Sequence, residues 1–566
     1  MREYHDMTNL QTNLPKKKCF QPKNALKGRF KLFAAILLIF CLFLSSPILA
    51  GAAENETLAE VKELINRYYV DPVPEQVLKA TSIKQLLERL GDPNAQYMTK
   101  DEYREFLRTL DMTFAGIGVE FETTAQGAKV TKVMAGYGAE KAGLKQGDII
   151  IEADGYSLAG KTSEYIVSRL RGAEGSKVQV VVLRGTATLN FAIQRMTIEL
   201  PLVEGTVLEG HIGYVAIHSF GEDTAAQFDR EVRALKAKKV DSWIIDLRSN
   251  SGGYTQAAYD LLGYFIGDKT AVILKDRTPY SVAYRATKQS YVLEEPIVLL
   301  INNYTASSSE ITTAALKDHN KATIIGENTY GSGRVKALLP LANGDYLKLP
   351  INKFFSPYNR PIDEIGVAPH LDLTGLDELQ AAVVLLKNSG TKVNAAADKT
   401  GYVRLTIGPN NFYLAVADLQ KPENWAFTQK LLDAAAKNSI SVKLGGKSGW
   451  ETLPAEYLEK PYKFYYLEYF LAGDLQDIPL DKTFTVIFRS DMDWNSVTPD
   501  SIELIEAASG QRLKFRVAFV EDNVMTVQAE SELKRGTAYW LVIHPVLKDA
   551  NGDLIGGGVA LAQTVK

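Results

Sequence analysis

Cysteine is almost missing from this chain: 566 residues hold two, Cys19 and Cys41, and both precede residue 50. The remainder therefore has no disulfide framework and no cysteine metal site, and no lipidation-type box precedes Cys41. An excess of one charge is missing too. Lys and Arg number 64 against 67 Asp and Glu, a net charge of −3, which gives no electrostatic case for nucleic acid as a partner. Histidine is scarce, six in all. No His, Asp and Glu cluster shows ligand spacing, so neither a metal mechanism nor a cofactor is expected.

What is present begins with a targeting segment. Lys16, Lys17, Lys18, Lys23, Lys27, Arg29 and Lys31 precede an almost wholly apolar Phe33–Leu44, and Ser45-Ser-Pro-Ile-Leu-Ala-Gly-Ala-Ala53 offers small residues for cleavage. Residues 1–53 read as a signal peptide or a signal-anchor. The apolar core is short for a full span, while the long basic leader keeps the anchor open with its positive side cytoplasmic. Either way the remainder is expected to be exported, membrane-anchored or secreted, and its lack of cysteine fits a Gram-positive envelope.

At this length several domains are expected. Leu58, Val61, Leu64 and Ile65 recur at helical spacing, and helices are predicted from Thr57 to about Leu110, with a turn at Asp92-Pro93 and a helix start at Thr99-Lys-Asp-Glu102. Short strands with glycine punctuation follow from Gly116 to about Arg195. Residues 199–390 alternate strands (212–217, 242–247, 296–301) with helices (224–236, 256–265), the pattern of an α/β core. Thr400–Trp450 has a Leu/Val-rich strand and a helical stretch around Trp425–Ala436, without a motif that can be named. From Thr483 to Leu554, alternating strands separated by turns at Ser509-Gly510 and Asn551-Gly552 argue a β-sandwich.

One junction carries chemistry. The apolar run Pro296–Ile301 leads through a small-residue turn into Glu310-Ile-Thr-Thr-Ala-Ala-Leu-Lys317, which has good helix formers and an acid in its first turn. A serine hydroxyl there sits beside unpaired helix N–H groups and the positive end of the helix dipole, which stabilise an alkoxide or oxyanion. An ordinary Ser/Thr N-cap satisfies the same pattern.

The stretch Asn302-Asn-Tyr-Thr-Ala-Ser-Ser-Ser-Glu-Ile311 resembles the Thr-Ala-Ser-Ala-Ser-Glu-Ile signature of the carboxyl-terminal processing (tail-specific) serine peptidases. The resemblance runs in order from about residue 55 to 372. It takes in Leu90-Gly-Asp-Pro-Asn-Ala-Gln-Tyr97, Ile245-Asp-Leu-Arg-Ser-Asn-Ser-Gly-Gly253, Gly326-Glu-Asn-Thr-Tyr-Gly-Ser-Gly333 and Gly366-Val-Ala-Pro369. Between the first two of these, Gly116-Ile-Gly-Val-Glu-Phe121 looks like the carboxylate-binding loop and first strand of a PDZ domain, a module that adds an extended peptide to its sheet edge. Gly116, Ile117 and Gly118 would then hold a terminal carboxylate on backbone N–H groups. Arg171 matches a basic position that adds charge to the grip, or is a solvated helix-end arginine.

The resemblance implies a multidomain α+β fold. It consists of a helical region (54–112), a PDZ domain (113–198), and a crotonase/Clp-peptidase-like α/β peptidase core (199–390). This resemblance stops beyond residue 390, where the chain's own patterns give an α/β region of no assigned role (391–475) and an Ig-like β-sandwich (476–566), a spacer or a wall or partner contact. It makes Ser307 the nucleophile and places an oxyanion hole at the N–H of Ser308 with Gly252 or Gly253. Glu310 matches a family acid that orients the site, capping being the equal alternative. Asp246 and Arg248 are expected to make local ion-pair contacts.

The base departs from the family. Its lysine lies twenty-five positions beyond the serine, where this chain has Ser332, and four positions further on, where the family has a glutamine, stands Lys336. In an extended segment residues 332 and 336 share a face, at most ~13 Å apart, and a lysine reaches ~6 Å. Lys336 is thus the candidate for a relocated base with Ser332 accepting or relaying a hydrogen bond; the alternative is a surface lysine on an inactive homologue. His319 lies roughly 18 Å away if its segment is one helix and cannot reach the hydroxyl. His211, His218 and His370 are isolated, His370 standing where the family usually has Asp.

Two functions remain. One is an exported serine endopeptidase that binds flexible C-terminal tails of envelope proteins through the PDZ groove and cleaves them by Ser–Lys chemistry. The other is a catalytically silent PDZ tail-binding adaptor. A crotonase-type acyl transfer on a small molecule is argued against by the PDZ segment.

Overall fold

The computed structural model describes residues 47–388, 393 and 397–566. The basic and apolar leader, residues 1–46, lies outside them. Two compact units divide at Glu60, and among the described residues no helix is long and apolar enough to cross a membrane.

Helix α1 (Pro47–Tyr68) is the first element among the described residues, with Val61 and Ile65 fully buried. Helix α2 (Ile83–Leu90) starts on the Ser82 side chain and stops at Gly91 in the left-handed conformation. Strand β1 (Gln96–Met98) follows, then α3 (Lys100–Leu110), where the predicted start is a capping box: the Thr99 N–H donates to Glu102 Oε2 at 2.8 Å and the Glu102 N–H to Thr99 Oγ1 at 3.3 Å.

Strand β2 (Thr113–Gly116) leads into β3 (Val119–Thr124), the edge of a sheet in which Gly127–Val133, Ile149–Ala153, Lys177–Arg184 and Ala187–Gln194 follow in that order. Helix α4 (Ser163–Leu170) buries Ile166 and Leu170 in the same core as Ile117 and Val180. Strand β4 (Met196–Glu199) pairs antiparallel with β2 and returns the chain.

The next sheet carries the serine. Its strands are β5 (Val203–Leu208), β6 (Ile212–Ile217), β7 (Ser242–Asp246), β10 (Ile297–Ile301), β11 (Thr323–Gly326) and β14 (Leu371–Asp372), in that spatial order. All pairings beyond β5–β6 are parallel. Every residue of β7 and β10 is buried, as befits parallel strands covered on both faces. Alternation divides them. On one face Trp243, Ile245, Leu299 and Ile301 join helices α5 (Thr224–Ala237) and α6 (Thr255–Ile266); Ile244, Val298 and Leu300 face the opposite layer.

That opposite layer is the region without a nameable motif. Val403, Leu405 and Phe412, and Phe427, Leu431 and Leu432 of helix α8 (Trp425–Ala436), share one cluster with Ile244, Val298 and Leu300. Residues 400–465, together with the helix Glu378–Leu386, are thus the second covering of the sheet, each large apolar side chain contributing about 1.5–3 kcal/mol by burial.

A smaller sheet overhangs the site: β1, β13 (Tyr346–Phe355), β8 (Thr270–Lys275) and β9 (Ser281–Arg285), with β12 (Arg334–Pro340) also paired to β13. The C-terminal region holds a four-stranded and a three-stranded sheet around one core, with Phe484, Met525 and Val527 meeting Leu504, Tyr539 and Leu541. Its first strand, β15 (Phe470–Ile478), begins ahead of the expected boundary at 476 because it pairs, in parallel, with the last, β16 (Gly558–Thr564).

Candidate active site

Ser307 sits between β10 and helix α7 (Ser308–Asp318) at φ 55° and ψ −117°. A non-glycine residue there costs roughly 1–3 kcal/mol and persists where its surroundings over-determine it. Thr305 Oγ1 donates to the Leu247 carbonyl at 2.9 Å, the Ala306 N–H to the Asn250 carbonyl at 3.1 Å, and Ser309 Oγ to that same carbonyl at 2.9 Å. The Ser307 N–H donates to Glu310 Oε2 at 2.8 Å. Ser308, Ser309 and Glu310 are fully buried while Ser307 remains half-exposed.

Glu310 is more than a helix cap. Thr329 Oγ1 (2.6 Å) and the Gly331 N–H (2.7 Å) donate to one of its oxygens, and the N–H groups of Ser307 and Ser332 (both 2.8 Å) to the other. Burial pushes this carboxyl up from its ordinary value, while the donated hydrogen bonds pull it back. Because Ser307 and Ser332 bond the same oxygen, their backbone nitrogens lie no more than twice 2.8 Å apart. The structure therefore brings Ser332 beside Ser307.

Lys336 follows on β12. Its Nζ donates to Ser332 Oγ at 2.8 Å, as the shared face of residues 332 and 336 anticipates. The side chain is half-buried, and burial first, then the charge of Lys348, holds the amine below the ordinary lysine range.

Of the oxyanion candidates, the Gly252 N–H is taken by Asn250 Oδ1 at 2.9 Å. Gly252 serves instead as a close approach: a Cβ on it would lie 2.8 Å from Ser307 Cβ. Among the described residues no hydrogen bond is made by the N–H groups of Gly253 and Ser308, and Ser308 Oγ ties the two turns by donating to the Gly253 carbonyl at 2.9 Å.

In the PDZ segment the Ala139 N–H donates to the Ile117 carbonyl at 2.7 Å and the Met134 N–H to the Gly118 carbonyl at 3.0 Å, which fixes the loop after Gly116. Gly118 has φ 82°, and a Cβ there would meet Tyr137 Cβ at 2.3 Å, so any substitution deforms the loop itself. Arg171 is exposed, its guanidinium 3.8 Å from the Phe114 ring centroid.

None of the four histidines weighed as a base is bonded to Ser307. His319 Nε2 meets the Thr270 carbonyl at 2.8 Å, His218 meets Glu204 at 2.9 Å, and His211 lies between Asp241 and the Lys387 carbonyl. His370 Nδ1 accepts the Ile324 N–H at 3.0 Å, and burial, helped by Lys317, pushes its pKa down to about 4. Asp246 pairs with Arg248 at 2.7 Å, and Arg248 with Glu378 at 2.8 Å.

Two supports went unread in the sequence, Asn250 within a quoted motif and Arg334 one position beyond another. Asn250 is buried, sends its amide to the Ile217 carbonyl at 2.8 Å and holds both serine-turn and glycine-turn backbones. Arg334, two residues before Lys336, bonds Asp71 (2.9 Å), Asp92 (3.2 Å) and Asp363 (3.0 Å), fastening Asp71 and the Leu90–Tyr97 motif to β12.

The family model for peptidase family S41 matches residues 211–373, and that for the PDZ domain residues 115–194. Carboxy-terminal processing protease CtpB of Bacillus subtilis (strain 168) is 32% identical over 341 residues, covering 59% of this chain and 70% of the relative. CtpA of the same strain is 28% identical over 370 residues, covering 64% and 79%. A probable CtpA-like serine protease of Staphylococcus aureus (strain bovine RF122 / ET3-1) is 30% identical over 376 residues, covering 64% and 75%. Among solved structures, the photosystem II D1 C-terminal processing protease is similar at 25% identity and a TM-score of 0.39, over 57% of this chain and 93% of that one.

Proposed function

Because the chain belongs to peptidase family S41, the carboxy-terminal processing serine proteases with a PDZ domain, we propose that it is an exported endopeptidase that seizes the flexible C-terminal tail of an envelope protein and cleaves it at Ser307 with Lys336 as base. The observation that supports this most is the line of contacts from the Ser307 N–H through Glu310 to Ser332, and from Ser332 Oγ to Lys336 Nζ. Neutral Lys336 takes the Ser307 proton, directly or through Ser332. The serine oxygen then adds to the scissile carbonyl, the oxyanion faces the N–H groups of Gly253 and Ser308 at the positive end of α7, and the proton passes to the leaving amine. Water hydrolyses the acyl ester by the same route.

The sign of the pH dependence follows. The amine must be neutral to accept a proton, and its ionisation is depressed. kcat/KM is expected to rise with pH through that ionisation and to be lost on its acid side. A pH–rate profile with no such rising limb speaks against Lys336.

The edge strand β3 and the loop before it support tail capture. An unfolded substrate with a free C-terminus is expected to be cleaved, and the same substrate amidated there to lose about tenfold or more in affinity. Equal binding of the two overturns carboxylate recognition without disturbing any fold.

The leader supports export with either anchoring or release, and the cysteine-free remainder a Gram-positive envelope. Membrane fractionation with N-terminal sequencing of the mature chain decides between anchor and cleaved signal; recovery from the cytoplasm with an intact leader refutes export. The paired C-terminal sheets support an Ig-like spacer with a wall or partner contact, which sedimentation of the chain with purified walls tests.

Ser332 at the family's lysine position favours a second reading, a PDZ adaptor without turnover. No cleavage by the full chain, or cleavage that survives Ser307→Ala, selects it.

A further inference from the structure

Two lysines face the same side of the overhanging sheet. In the β12–β13 ladder Lys336 stands opposite Pro350 and Leu338 opposite Lys348, with no irregularity between these pairs. Side chains two apart on a strand share a face, so Lys336 and Lys348 are diagonal neighbours, their Cβ atoms roughly 7 Å apart. We propose that Lys348 is a positioning residue for the base, a second ammonium fixed on the same face that keeps Lys336 from holding its proton. This rests on the reading of Lys336 as base and adds to it a role for the Leu90–Tyr97 motif.

Lys348 is held in place, and its contacts oppose a burial that holds its own amine below the ordinary lysine range. Its Nζ donates to Gln96 Oε1 at 2.9 Å, Gln96 being its partner across the β1–β13 register, and lies 5.2 Å from the Phe106 ring centroid. An amide oxygen and an aromatic face both favour the ammonium form. Glu310, Asp92 and Asp363 act on Lys336 in the opposite sense. Asp92 and Asp363 already pair with Arg334, and Glu310 accepts four hydrogen bonds. Lys348 is left as the cation acting on the base, and its effect has the same direction as burial.

The test measures the ionisation of Lys336 in two ways on the full chain. The first is kcat/KM against pH for the parent, Lys348→Met and Lys348→Arg. In Lys348→Met the rising limb is expected to move up by about one pH unit, with a similar rate at its alkaline plateau; Lys348→Arg returns it to the parent position. A variant slower at every pH with an unmoved limb shows a merely structural role and overturns the proposal. The second is the pH dependence of Lys336 acetylation by acetic anhydride, read by mass spectrometry without turnover. A midpoint that rises in Lys348→Met while the parent is inactive upholds the coupling and removes the base reading. Ser307-dependent turnover with an unmoved midpoint removes the coupling and keeps the base.

Discussion

Ser307→Ala in the full chain is expected to lower kcat/KM on an unfolded substrate by about 10⁴-fold or more. Lys336→Ala should fall to within about tenfold of the same floor. Nucleophile and base act as a unit, so the double variant is expected to lose little beyond Ser307→Ala alone. Neither change should loosen the site. The bond to Glu310 comes from the Ser307 backbone N–H, which alanine retains, and among the described residues the Lys336 amine bonds only to Ser332 Oγ. Thermal melts of both variants are expected to match the parent. Lys336→Ala that keeps more than about a tenth of the parent rate sinks the relocated base, whatever happens at Ser307.

The largest loss of stability is expected at Arg334. One guanidinium, 17% exposed, bonds three carboxylates brought from 71, 92 and 363. Arg334→Met takes the guanidinium from all three, Asp71 keeping its pair with Lys353 at 2.8 Å, at a cost of about 3–5 kcal/mol. Lysine restores the charge but not the fork that reaches several acceptors, so Arg334→Lys should recover only part of it. Urea denaturation of the full chain measures both. A Met variant within about 1 kcal/mol of the parent would show that the segment carrying Asp71 and Asp92 is held by apolar packing instead.

Legibility in the sequence followed the range of the interaction. The turn at Ser307 could be read because an apolar run, small residues and an acid are adjacent in the chain. The Ser332–Lys336 contact could be read because a strand repeats every two residues. Glu310 was ambiguous for the same reason: capping is local and visible, whereas its bonds from Thr329, Gly331 and Ser332 depend on a distant loop. Arg334 gave no sign of Asp71 or Asp92, which are more than 240 positions away. Residues 400–465 carried strand and helix patterns, but periodicity names a face and not its partner. The partner here is Ile244, Val298 and Leu300 of the sheet. Phe470–Ile478 was divided at 475 because its neighbour is the final strand, a pairing that local turns do not announce.

Trp425 joins two of these layers. Its indole N–H donates to the Ala507 carbonyl at 2.8 Å, and its ring packs with Tyr462 and Trp540, while the helix it opens seals the sheet that ends at Ser307. The C-terminal strands are therefore a handle, not a leash. Load applied there reaches the sheet behind Ser307 through packed rings instead of being absorbed by slack chain.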